Sequence, residues 1–301
     1  MEDERVARRS QCDSVPGGLG IGKKARLHRL LYGHGARNGT ALLLPYDHGL
    51  EHGPRDFFAN PAAADPAYVI RLAVEGNFNG IAMHIGNVRR FFWEFAGEVP
   101  LILKLNGKTN VPSDDEPLSA LQATVSEAVA VGADAVGYTL YVGSPRQADD
   151  MDQLRGVREE AERLGMPLVI WAYPRGSAID ARGGRDSVYA VDYAARAAAE
   201  LGADIVKLTW PDAHRREGVP SDYDRDFDPA EMMSRLVTSA NGAKVVLSGG
   251  DLDDPSALLE RTNVALESGA TGVIVGRNVW QRAREESLTV IADLHALLAK
   301  Y

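Results

Sequence analysis

The segment Leu201-Gly202-Ala203-Asp204-Ile205-Val206-Lys207-Leu208-Thr209-Trp210 decides the fold. A helical stretch runs into it, glycine ends that stretch, and an apolar run follows within a few residues. Glycine tolerates the left-handed backbone that closes a helix, and the run after it is too short to be another helix. The run is nearly continuous in apolar character rather than alternating. That is the pattern of a strand covered on both faces of a parallel sheet. Gly132-Ala133 and Gly269-Ala270 repeat the same punctuation before further apolar runs. Working outward, eight runs of this kind appear, at 41–48, 78–86, 100–106, 133–141, 167–174, 203–210, 244–250 and 272–278.

Helix-like stretches separate the runs, at 62–75, 117–131, 150–164, 187–201, 229–240, 255–268 and 279–298; only the second crossover, around 88–95, is short. Strict alternation of eight strands and helices favours a closed barrel over an open sheet. No G-x-G-x-x-G opens a helix after a strand, which argues against a dinucleotide fold. The fold predicted is α/β, a single (β/α)8 TIM barrel with a short N-terminal extension. Residues 1–22 read as a flexible arm or oligomer contact. Residues 23–301 read as the catalytic barrel, with an added helix over 23–32 before the first strand.

The totals agree with a soluble enzyme. Apolar residues make up 45% of 301 and charged residues 25%, an ordinary globular balance. A net charge of -9 argues against nucleic acid or an anionic membrane as the main partner. Cys12 is the one cysteine, so no intrachain disulfide can form and nothing points to an oxidising compartment. With no apolar signal core and no run long enough to span a bilayer, a cytoplasmic location is expected.

Barrel enzymes place chemistry at the C-terminal ends of their strands. Those ends carry Pro45, Tyr46, Asp47 and His48; His84; Lys104 and Asn106; Trp171 and Tyr173; Lys207 and Thr209; Ser248, Gly249 and Gly250; and Gly276 with Arg277. Side chains alternate faces along a strand, and aiming a charge at the helix layer is costly. The sets predicted to face the lumen are therefore Pro45 with Asp47, Lys104 with Asn106, Trp171 with Tyr173, and Lys207 with Thr209.

Lys207, one of seven lysines, sits between Val206 and Leu208. Desolvation there would lower its pKa and make it an amine nucleophile. Tyr173 could shuttle a proton, Asp47 could orient a lysine or take a proton, and Lys104 could depress Lys207 by like charge. Each has a plainer use: a snorkelling lysine, a core tyrosine, a turn aspartate, and a buried Asp47–Lys104 ion pair. Ser248, Gly249, Gly250, Gly276 and Arg277 lie where barrels often hold phosphate, although glycines also serve tight turns. His48 and His52 are four apart, as in helical zinc sites. Gly49, Gly53 and Pro54 predict a loop there instead, so metal is not expected.

The stretches Tyr46 to Pro54, Leu103 to Asn106, Trp171 to Gly176, Lys207, Ser248 to Gly250 and Gly276 to Asn278 together resemble the archaeal-type class I fructose-bisphosphate aldolases, which belong to the Schiff-base barrel aldolases. The resemblance covers roughly residues 40 to 285. It implies that Lys207 forms the Schiff base, that Tyr173 transfers protons, and that Asp47 and Trp171 are active-site groups. It implies that Ser248, Gly249, Gly250, Gly276 and Arg277 hold the phosphate of dihydroxyacetone phosphate. It implies sugar-phosphate substrates, no cofactor, and a homo-oligomer, often a decamer of two pentameric rings. The competing readings are a relative acting on another phosphorylated ketose, a metal-dependent lyase using His48, Glu51, His52 and His84, and a sugar-phosphate binder without catalysis.

Overall fold

The structure is a computed structural model that describes residues 19–301. Eight parallel strands close into a barrel: β1 (Ala41–Tyr46), β2 (Gly80–His84), β3 (Leu101–Lys104), β4 (Ala135–Val142), β5 (Leu168–Pro174), β6 (Ile205–Leu208), β7 (Lys244–Ser248) and β8 (Gly272–Ile274). β8 returns to β1 with Ala41 opposite Gly272. Every strand falls within a predicted run except that β4 extends one residue past its run, to Val142. Closure leaves no edge strand, and each strand is walled by the lumen on one side and helices on the other.

The predicted parity holds along the strands, with Asn106, just past the end of β3, the exception. Ala41, Leu43, Ala82, Ile102, Ala135, Val169, Trp171, Ile205, Val246 and Ile274 pack in the lumen. Residues of opposite parity, such as Leu42, Ile81, Leu103, Val206 and Leu247, pack in the cluster that includes the helices.

The N-terminal helix α1 (Ile21–His28) continues as a π-helical turn over Arg29–Gly33. Its Leu27, Leu30 and Leu31 pack against the lumen cluster and close the bottom of the barrel. Each buried leucine contributes about 1.5–3 kcal/mol. Lys23, 1% exposed, ties α1 to the barrel through Asp204 at 2.9 Å and through Glu162. The helix thus starts within the predicted arm of residues 1–22, whose first eighteen residues lie outside those described.

Seven of the remaining helices are α2 (His48–Glu51), α3 (Pro66–Glu75), α4 (Ile85–Phe91), α5 (Val125–Ala130), α6 (Gln147–Leu164), α7 (Ser177–Asp180) and α8 (Val188–Glu200). They are followed by α9 (Pro229–Ser239), α10 (Pro255–Glu267), α11 (Arg277–Trp280) and α12 (Arg284–Leu298). Asp65, Asp228 and Asp254 cap α3, α9 and α10, each followed by proline. The carboxylate accepts from otherwise unpaired amides, and proline at the first helical position loses no hydrogen bond.

Two predicted helices differ. The 117–131 helix starts only at Val125, because Thr124 and Glu127 form a capping box that fixes the first turn. Ahead of it, Ala120 and Leu121 pair antiparallel with Gly107 and Asn106. The 279–298 helix is broken between Trp280 and Arg284, where Ser287 Oγ donates to Val279 O at 2.7 Å across the break. Among the described residues no helix is long and apolar enough to cross a membrane.

Candidate active site

β6 carries Lys207 into the C-terminal mouth of the barrel, where it is 5% exposed. In register, Lys207 lies opposite Trp171 of β5. Two residues on, at the same parity, Tyr173 accepts a hydrogen bond from Lys207 Nζ. That Nζ lies 4.7 Å from the Tyr173 ring centroid and 5.7 Å from that of Trp171. Burial is the largest influence on the amine and pushes its pKa down to about 7; Lys104 and Arg277 add to this, while Asp47 and Glu51 oppose it. Near pH 7 a large share of Lys207 is therefore free amine, the form that attacks a carbonyl.

Lys104 is fully buried at the end of β3. Its Nζ donates to Asp47 Oδ2 at 3.1 Å and Glu51 Oε1 at 2.6 Å, and lies 4.7 Å over the Trp171 ring. Burial alone would lower its pKa, but the two carboxylates hold it above the ordinary lysine range. Conversely, burial would raise Asp47, yet Lys104 holds that carboxyl well below its ordinary value. Glu51 is raised, by burial first and then by Asp47. Burial, with Glu51 and Asp47 behind it, keeps the Tyr173 phenol protonated well above its ordinary range. The two lysines are thus shifted in opposite directions: Lys104 stays a cation, and Lys207 gives up its proton near neutral pH.

Trp171 fits because β4 has glycine beneath it. A Cβ on Gly137 would stand 2.7 Å from the indole and 3.1 Å from the Lys104 stem. Asn106 does not reach the cavity. It pairs with the Thr139 backbone at 2.7 and 2.8 Å, locking the β3 end to β4. Thr209 Oγ1 is buried and without a hydrogen bond.

Ser248, Gly249, Gly250, Gly276 and Arg277 converge with Lys207 and Tyr173 on one cavity. It opens into a cleft of about 630 Å³. Gly249 is needed for space, since its Cβ would meet Val275 at 2.9 Å, but its N–H already donates to Ile274 O at 3.0 Å. Arg277 is paired with Asp251, and its Nε is buried without a partner. Buried Asn278 staples the two loops, donating to Gly249 O at 2.9 Å and Asp251 O at 2.7 Å and accepting from Asp253 N at 2.9 Å. Lys108, Arg55, Arg175 and Arg185 line the outer cleft, with the Arg175 guanidinium 5.1 Å over the Tyr173 ring.

All ten predicted site residues surround this one mouth. Two contributors were missed. Glu51 appeared in the sequence only as a metal candidate, yet it is the shorter of the two partners of Lys104. Asn278 was quoted but given no role. The metal-lyase grouping is corrected: Glu51 is taken by Lys104, and His84 does not join the two other histidines, whose third neighbour is Asp56.

Residues 41–282 match the DeoC/LacD family of aldolases. The chain belongs to that family. This aldolase chain is 40% identical over 248 residues, 82% of its length and 86% of the relative's, to fructose-bisphosphate aldolase class 1 of Thermoproteus tenax. It is 39% identical, with the same coverage, to the enzyme of that name from Halobacterium salinarum. Among solved structures it superimposes, at a TM-score of 0.78 and 36% identity, on an archaeal fructose-1,6-bisphosphate aldolase whose catalytic lysine is covalently bound to the carbinolamine intermediate. The superposition covers 91% of this aldolase chain and 99% of that one.

Proposed function

We propose that this chain is a class I aldolase that reversibly cleaves fructose 1,6-bisphosphate into dihydroxyacetone phosphate and glyceraldehyde 3-phosphate, with Lys207 as its nucleophile. One observation carries the reading: a buried amine with a pKa of about 7 shares a hydrogen bond with a protonated phenol, beside a glycine-lined pocket that holds an arginine. In cleavage, Lys207 Nζ adds to C2 of the open-chain ketose. Protonation of the carbinolamine oxygen expels water and leaves the iminium. Tyr173 gives its phenolic proton to the departing carbinolamine oxygen, and the phenolate left beside the iminium then takes the proton of the C4 hydroxyl as the C3–C4 bond breaks. The bonding electrons pass to the enamine, and the aldehyde product leaves. Protonation at C3 and attack of water on the regenerated iminium release dihydroxyacetone phosphate and restore the amine. The iminium acts as the electron sink that a Lewis acid would otherwise provide.

Asp47 and Glu51 hold Lys104 in place, and Lys104 in turn keeps a positive charge near Lys207. Trp171 forms the floor under both lysines. Ser248, Gly250, Gly276 and Arg277 take the phosphate beside C1, with Gly249 giving room. Lys108 and Arg175 are placed for the phosphate at C6. Exposed Phe58, Trp93 and Val111 support a homo-oligomer, a decamer by family resemblance, and a cytoplasmic enzyme is the matching location. Fructose 1,6-bisphosphate cleavage coupled to triose-phosphate detection tests the reading. Activity that survives a chelator and is abolished in Lys207→Met supports it; undiminished activity in Lys207→Met refutes it.

A further inference from the structure

The stretch from His48 to Asp56 holds a cluster that the Schiff-base chemistry does not use. His48 opens α2, and His52 follows one helical turn later, its N–H donating to His48 O at 2.7 Å. The two rings are therefore 5.0 Å apart between centroids. Pro54 starts a short 3-10 turn that brings Asp56 back, with Oδ2 3.0 Å from His52 Nδ1. One ligand atom from each residue lies within 4.8 Å of the others. In a tetrahedral site with bonds of about 2.0 Å, ligand atoms stand about 3.3 Å apart, so rotamer-scale shifts would close the triad. His48 Nδ1 is buried and makes no hydrogen bond, though it lies 3.3 Å from Asp47 Oδ1. His48 and His52 also wall a cavity of about 40 Å³, shared with Gly250 and Arg277. That is room for an ion's remaining water, which needs at least about 10–15 Å³. The facing charges are Asp47, Glu51 and Asp56 against Lys104, Lys207 and Arg277, so three carboxylates meet three basic groups and the ligand set, rather than an excess of charge, selects the ion.

We propose that His48, His52 and Asp56 bind a zinc-class divalent cation at the inner rim of the proposed phosphate pocket, and that the bound ion inhibits turnover. Two imidazoles and a carboxylate with an open fourth position suit zinc rather than magnesium, which prefers oxygen ligands. Inhibition follows from position, because the ion would draw His48 away from its place beside Asp47 and crowd the pocket. Binding itself does not depend on the aldolase reading.

The test is calorimetric titration of metal-free, full-length protein with zinc chloride, with magnesium chloride as the control. The expected result is one zinc per chain at micromolar affinity or tighter and no magnesium heat. Asp56→Asn and His52→Gln should each weaken zinc about tenfold or more. Asp56→Asn should keep its metal-free turnover, with its zinc inhibition curve moved by the same factor. Absent zinc uptake, uptake unchanged in both folded variants, or equal magnesium binding would overturn the site. Zinc held by these ligands with turnover unaffected would overturn the inhibition.

Discussion

Lys104→Met is the most informative perturbation. Methionine keeps much of the stem volume over Trp171 and removes the charge. In the wild type, Lys104 neutralises Asp47 and Glu51 and repels a proton on Lys207. Without it, two buried carboxylates face each other and one takes up a proton. Loss of the Lys104 charge raises Lys207, protonation of one carboxylate offsets part of that rise, and the carboxylate that stays ionised has Lys207 as the cation in reach. The gap between its value of about 7 and the ordinary 10.5 is worth about 5 kcal/mol, the upper bound of the effect. Recovery of even half of that gap would cut the free-amine fraction at neutral pH by more than about tenfold. The assay is the pH dependence of borohydride trapping with dihydroxyacetone phosphate. The midpoint of amine reactivity should move upward in Lys104→Met, with trapping partly restored at alkaline pH. An unmoved midpoint would refute the claim that the Lys104 charge adds to burial in depressing Lys207.

Lys207 itself should cost stability, because its folded pKa lies below its unfolded one. The folded state then binds fewer protons between about 7 and 10.5, so stability falls as pH drops through that window and the full penalty is present below 7. Lys207→Met should raise the melting temperature, by more at pH 7 than at pH 9, as thermal scans at both pH values will read. Tyr173→Phe should still trap the Schiff base yet lose about 10²–10⁴-fold in cleavage, which steady-state kinetics beside trapping will separate. Asn278→Ala removes the staple between the β7 and β8 loops and leaves buried groups unpaired, at about 1–3 kcal/mol. Its signature should be a raised KM for the phosphorylated ketose, measured against kcat. Gly137→Ala should destabilise by about 1–3 kcal/mol, read by denaturant unfolding, because the new methyl meets the Trp171 indole.

The barrel was legible because its strands announce themselves. Near-continuous apolar runs bounded by glycine leave little freedom in element type, and strand parity then decided which of Lys207, Tyr173, Trp171 and Lys104 share the lumen. Where side chains rather than periodicity set the backbone, the reading failed. Thr124 and Glu127 end the chain's freedom to extend a helix backward to 117, although Leu118 and Leu121 keep helical spacing. Gly49 and Gly53 suggested an open loop, yet backbone hydrogen bonds from Glu51 and His52 to Asp47 and His48 wind a helical turn between them. That turn aims Glu51 at Lys104, a contact across 53 positions of sequence that no local pattern encodes. Asn278 is similar: its partners belong to another loop, so only the closed barrel shows its use.

The central claim is that Lys207 forms the covalent link to substrate. Sodium borohydride reduction in the presence of dihydroxyacetone phosphate, followed by peptide mass mapping, tests it most directly. The account predicts one stable adduct on the peptide carrying Lys207, absent from Lys207→Met and indifferent to chelator. An adduct mapped to Lys104, or none from a protein that still cleaves fructose 1,6-bisphosphate, would contradict it.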